Sequence, residues 1–117
     1  MAEPYLEMLS GKITSLELST PEGVTLECRH FFSGAALYVN GKICASLTPA
    51  GFGLKLPAEV RDRLIKTGEG TELRYFEKAP VKKEYVALSQ TVVDDRERLR
   101  SLLGICTDYV LEREGAS

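Results

Sequence analysis

A lone histidine, His30, and three cysteines, Cys28, Cys44 and Cys106, are all the imidazole and thiol this sequence carries. Any histidine-based nucleophilic machine would have to be built around His30, and no strand-to-helix elbow bearing a nucleophile lies beside it. Three cysteines without a Cys-x-x-Cys pair make a poor disulfide framework and fit a reducing compartment. No apolar run approaches the roughly 20 residues that cross a bilayer, and the N-terminus lacks a basic start followed by an apolar stretch. The expected location is therefore the cytoplasm, with no membrane partner. Charge of one sign is missing too. Fifteen Lys+Arg against 17 Asp+Glu leave a net charge of -2, which gives no global field to draw phosphate backbones, so nucleic acid is a disfavoured partner. Gly51-Phe52-Gly53 is too short for a phosphate loop and lacks the Lys-Ser/Thr that follows in one. No cofactor is expected.

What is present is a globular composition. With 117 residues, 44% hydrophobic and 27% charged, the chain suits one domain over 1–117, large enough to bury a core without metal or disulfide. Leu6, Leu9, Ile13 and Leu16 recur at helical steps and predict a helix over 4–18, which the interior Gly11 weakens. A turn at Ser19–Gly23 follows, and the period then falls to two: Val24, Leu26 and Cys28 on one side, Thr25, Glu27 and Arg29 on the other, a half-buried strand over 24–31. Asn40-Gly41 between two apolar runs predicts a type I′ hairpin joining strands 35–39 and 42–47. In that register Ala36, Tyr38, Ile43 and Ala45 share one side, and Leu37 and Cys44 the other. Phe52, Leu54 and Leu56 mark a strand over 52–56, and Val60 and Leu64 a surface helix over 57–66. Strands over 72–76 and 84–88 are joined by a charged connection. The clearest helix runs over 95–112, where Leu99, Leu102, Leu103, Cys106 and Val110 form an apolar stripe, Asp94 with Glu97 suggests a capping box, and Arg96, Arg98 and Arg100 point to solvent. The order predicts an α+β two-layer fold, an antiparallel sheet of five to six strands with helices packed on one face.

The run Arg29-His30-Phe31-Phe32-Ser33-Gly34-Ala35-Ala36-Leu37-Tyr38-Val39-Asn40-Gly41 resembles the signature of the TfoX N-terminal domain family, Arg-x-Met-Phe-Gly-Gly-x-Gly-Leu-Tyr-Val-Asp-Gly. Leu54-Lys55 is similar to the family's Leu-Lys at the end of the next strand, and the likeness covers about residues 24–110. The motif residues are Arg29, Phe32, Gly34, Leu37, Tyr38, Gly41 and Lys55. Ser33 and Ala36 stand where the family has glycine. Ser and Ala reach positive φ only at a cost, so the connection between the first two strands must differ here or use negative φ. The resemblance implies a stand-alone version of the domain, without the C-terminal domain of the competence regulators, in a fold similar to secretion-chaperone and YjbR-like proteins. It implies a non-enzymatic regulatory or adaptor role through an unidentified protein partner, and it supplies no catalytic set.

Three further readings compete with that one. Cys28, His30 and Cys44 could meet across the first strands as a metal or thiol site, but a structural zinc site wants four ligands and a catalytic one three plus water, and no second histidine completes it. Buried structural thiols explain the same residues. Lys55, Lys78, Lys82 and Lys83 form a local basic cluster, a candidate contact for an acidic partner or nucleic acid, or else a solvated loop that protects a sheet edge. Phe31-Phe32 at a strand end is either core or an exposed patch for dimerisation. The similar two-layer fold and the acidic balance leave a small dimeric chaperone-like binding module as the alternative role.

Overall fold

A computed structural model describes residues 3–18, 20, 22–74 and 78–116, with side chains described for 4–18, 20, 22–74 and 78–113. Along these residues run α1 (Glu3–Leu16), β1 (Leu26–Phe31), β2 (Gly34–Val39), β3 (Lys42–Thr48), β4 (Gly51–Lys55), α2 (Ala58–Lys66), β5 (Gly70–Glu72), β6 (Tyr85–Leu88), α3 (Gln90–Val93) and α4 (Arg96–Ala116). The strands form one antiparallel sheet in the order β1-β2-β3-β4-β6-β5. The α+β class is thus as the sequence order predicts. The strand expected over 72–76 is instead the short β5, and residues 75 and 76 lie outside the described residues.

One face of the sheet carries the aliphatic core. Leu37, Ala45, Leu54 and Val86 lie in register across four strands, and Ala35 and Phe52 belong to the next row. Leu9 and Leu16 of α1 and Leu99, Leu102, Leu103, Cys106 and Val110 of α4 close over them. α1 packs across β1, β2 and β3, most heavily on β2, while α4 lies over β2, β3 and β4, and Leu64 of α2 abuts Gly70 at the far edge. Burying a large aliphatic side chain is worth about 1.5–3 kcal/mol, so this row of leucines supplies the main driving force.

The Asn40-Gly41 hairpin forms as expected, with φ of 49° and 80° at its two central residues. Its register differs beyond the turn. Tyr38 faces Ile43 but Leu37 faces Ala45, so Cys44 is the extra residue of a β-bulge. A bulge flips the parity of the strand, and Ala45 therefore joins Leu37 on the helix face rather than sharing a side with Ala36. The Cys44 carbonyl accepts a hydrogen bond from the Cys106 thiol of α4 at 2.9 Å.

Two corrections concern the start of α4. Asp95, not Asp94, caps it, since its Oδ1 accepts from the Arg98 N–H at 3.1 Å. Asp94 instead ends α3, a short helix that the sequence pattern did not signal, begun by the Ser89 side chain accepting from Val92 N–H. The three arginines are also engaged. Arg96 donates to the Ser15 carbonyl at 3.1 Å and Arg100 to the Glu17 carbonyl at 3.3 Å. They satisfy the end of α1, where helical carbonyls lack partners. Arg98 forks onto Glu69, with Nε to Oε2 and Nη2 to Oε1 both at 3.1 Å.

Candidate interaction surface

The opposite sheet face is built from small side chains. Arg29, Ala36, Ser46, Gly53, Ala87 and Thr71 lie in one row from edge to edge. Leu73 covers the middle of it, since a Cβ at Gly53 would stand 2.7 Å from the Leu73 side chain. The described parts of the connection after β5 are tied to each other by Lys82 N–H bonding to the Leu73 carbonyl and Arg74 to the Ala79 carbonyl, both at 2.8 Å. Ser46 is fully buried there, and among the described residues its hydroxyl has no hydrogen-bond partner.

At the β1 end this face becomes charged and aromatic. The Arg29 guanidinium sits 4.8 Å from the centre of the Tyr38 ring and donates to Glu27 Oε1 at 2.8 Å. That hydrogen bond, and then the Arg29 charge, hold the Glu27 carboxyl below its ordinary value. The strand ends in the two-residue loop Phe32-Ser33, in which Phe32 alone takes positive φ, at 50°. The connection thus reaches positive φ at Phe32, with Ser33 in the family's glycine position left at negative φ. Phe32 is 80% exposed, its ring 4.5 Å from that of half-buried Phe31 and steeply inclined to it. Gly34 permits the close approach of β2 to β3, for a Cβ there would run into the Leu47 carbonyl. Leu37 is core and Gly41 completes the hairpin turn.

Cys44 lies near both Cys28 and Cys106, but the imidazole does not join the thiols in a ligand group among the described residues. Cys28 and His30 do share a side of β1, but His30 is exposed while Cys28 is half-buried under α1. Burial pushes the Cys28 thiol up in pKa, an effect the Ser10 hydroxyl partly offsets. Burial raises the Cys106 thiol much further. Thiols held protonated are poor nucleophiles and poor metal ligands, and among the described residues no three His, Cys, Asp or Glu side chains gather in a group able to hold a metal.

The lysines separate into two kinds. Lys78, Lys82 and Lys83 are exposed, whereas Lys55 is drawn toward the sheet, 4.0 Å from Glu84 and 5.9 Å from the centre of the Tyr85 ring. Glu84 also accepts from Tyr109 Oη and pairs with Arg113, each at 2.8 Å. It adopts φ of 73° and its carbonyl accepts from Leu56 N–H. This hub was not legible in the sequence, where Glu84 reads as the first residue of a strand. Its one local signal is an acid placed between two lysines and a tyrosine. Burial first, then the hydrogen bond to Glu84, raise the Tyr109 phenol. A cleft of about 420 Å³ lies between α1 and α3, lined by Met8, Lys12, Thr48, Phe52, Gln90 and Asp94 among others. Its polar groups are committed locally: Lys12 donates to the Val93 carbonyl at 3.4 Å and Gln90 to Asp94 at 2.9 Å.

An antiparallel sheet with helices packed on one side, and Leu73 set against Gly53 on the other, defines a two-layer α+β domain. No helix among the described residues is long and apolar enough to cross a membrane. The chain belongs to the TfoX N-terminal domain family, whose sequence model matches residues 22–108. No curated protein and no solved structure matches the chain.

Proposed function

We propose that the domain is a non-enzymatic regulatory or adaptor module that works through protein–protein contacts, with a hydrophobic docking point at the β1–β2 turn. The observation that carries this reading is Phe32: a large apolar ring at 80% exposure on a backbone of positive φ. Positive φ is uncommon outside glycine, asparagine and aspartate, and holding a bulky residue there costs of order 1 kcal/mol or more. Aromatic residues, phenylalanine among them, are enriched in the cores of protein interfaces. Family membership supports a role like that of the N-terminal domain in the competence regulators, and free thiols suit the reducing cytoplasm.

The test is affinity capture with the intact chain and with Phe32→Asn. Asparagine tolerates positive φ, so the variant keeps the melting temperature while removing the ring. A protein retained by the wild type and lost with Phe32→Asn supports the reading. Equal capture by both chains, or no capture by either, removes it.

A further inference from the structure

The sheet has two edges of unequal character. β5 is three residues long, whereas β1 runs for six. The Asn40 N–H bonds to the Thr25 carbonyl at 2.9 Å, so residues 25 and 40 form a hydrogen-bonded pair. Hydrogen-bonded and open pairs alternate along an antiparallel ladder. The peptide groups of Glu27, Arg29 and Phe31 therefore turn inward to β2, and those of Leu26, Cys28 and His30 turn outward. Among the described residues, no backbone hydrogen bond outside the β1–β2 ladder engages these three. A long bare edge invites pairing, and proteins usually blunt it with charge.

Here the charges do not blunt it. Glu27 and Arg29 flank Cys28 on the same sheet face, both more than half exposed. We propose that β1 pairs with β1 of a second copy, antiparallel, about a two-fold axis at Cys28, joining two six-stranded sheets into one. Side chains facing each other across such a seam must lie on the same face, which leaves three central registers. Centring on Glu27 sets Glu27 against itself, and centring on Arg29 sets Arg29 against itself. Like charges directly opposite destabilise a sheet. Centring on Cys28 places Glu27 of each copy against Arg29 of the other, two opposite-charge pairs on one face. It also lets the outward peptide groups of Cys28 bond to their equivalents and those of Leu26 to His30 of the second copy.

The helices permit the seam. With α1 resting mainly on β2, it stands about one and a half strand spacings from the axis. The two α1 helices then lie about 14 Å apart, wider than the 8–10 Å of packed helices. The pairing also sets the two Phe32 turns eight residues apart along the joined strands, about 27 Å at 3.4 Å per residue, which would make the assembly bivalent. The pairing itself does not depend on what Phe32 binds.

Size-exclusion chromatography with light scattering on the intact chain tests this. Wild type is expected at twice the 12.9 kDa chain mass. Glu27→Arg alone and Arg29→Glu alone are each expected at the single-chain mass, because each turns both seam pairs into like charges. An equimolar mixture of the two returns to the double mass, since every Arg then faces a Glu. The double swap Glu27→Arg/Arg29→Glu dimerises by itself, with the same charges as wild type. Circular dichroism melts establish that each variant is folded. A monomeric wild type, or a dimer indifferent to both single variants, overturns the proposal. A dimer broken by Arg29→Glu but untouched by Glu27→Arg overturns the register.

Discussion

Replacing Gly34 by alanine should be among the most damaging single-methyl changes available in this sheet, and replacing Gly11 by the same residue should do the reverse. A Cβ at Gly34 would collide with the Leu47 carbonyl oxygen and stand 2.8 Å from Thr48 Cα, both backbone atoms of the adjoining strand. Carbon atoms pack best at about 3.5–4.0 Å, so the β2–β3 ladder would have to open by most of an ångström. Forcing extra atoms into a packed interior costs typically 1–3 kcal/mol. The upper end applies because no flexible side chain can yield. Unfolding entropies near 2.1 cal/mol/K per residue give a chain of this length about 0.25 kcal/mol per degree. A loss of about 3 kcal/mol then lowers Tm by about 12 °C. At Gly11, inside α1, a Cβ meets nothing within 4 Å, and alanine in a helix interior is favoured over glycine by about 0.5–1 kcal/mol. That substitution should raise Tm by about 2–4 °C. Melts of the two variants beside wild type decide the matter. A Gly34→Ala chain melting within about 3 °C of wild type would refute the close-approach argument.

Ser46→Ala should leave stability unchanged or raise it by up to about 1 kcal/mol, because it removes a buried hydroxyl that has no partner among the described residues. A clear loss in chemical denaturation would mean the hydroxyl is satisfied in solution. The Arg98 fork, then the Thr67 hydroxyl, hold the Glu69 carboxyl below its ordinary 4.5. A lowered carboxylate contributes stability above its unfolded value and loses it as pH falls through the folded one. Wild type should therefore outlast Arg98→Gln near neutrality, and the two melting curves should converge as pH drops below 4.5; parallel curves would argue against the fork. The Tyr109 phenol, raised by burial and by Glu84, favours the fold while neutral, so stability should fall as pH climbs above 10, and a Glu84→Gln chain should lose less there. In the single-chain Glu27→Arg variant, a disulfide reagent should label half-buried Cys28 first and reach Cys44 and Cys106 only with unfolding. Equal rates at all three would contradict their burial.

Features set by neighbouring residues were legible, and those set by distant ones were not. The Asn40-Gly41 turn is local chemistry, since two adjacent positive φ values admit few residue types, and the stripe on α4 is a local repeat. The bulge at Cys44 answers to α4, whose Cys106 thiol takes the Cys44 carbonyl, 62 residues away in sequence. A four-residue helix such as α3 is too short to display a period. Adjacent Asp94 and Asp95 are equally good caps by type, and only the path of the chain from α3 chooses between them. Arg96, Arg98 and Arg100 lie off the apolar stripe, which is why they read as solvated. Their acceptors are carbonyls at the end of α1 and the Glu69 carboxylate, brought near by the fold.

The interaction surface divides in the same way. The sequence placed Cys28 and His30 on one side of a strand, but shared side alone does not gather ligands, and their unequal exposure keeps them apart in role. Whether β1 is an edge is a property of topology that a period-two pattern cannot carry. Once the register is known, however, side-chain size reads it out. Along the row Arg29, Ala36, Ser46, Gly53, Ala87 and Thr71, the middle positions are small, with Leu73 leaving no room for a Cβ at Gly53, and the row becomes bulky and charged only at Arg29. An arginine is accommodated there with its guanidinium over Tyr38 and bonded to Glu27. In the proposed β1–β1 pairing, the residue that ends the row of small side chains is thus also the one whose charge would select the partner strand, so packing on one side and recognition on the other would rest on a single position.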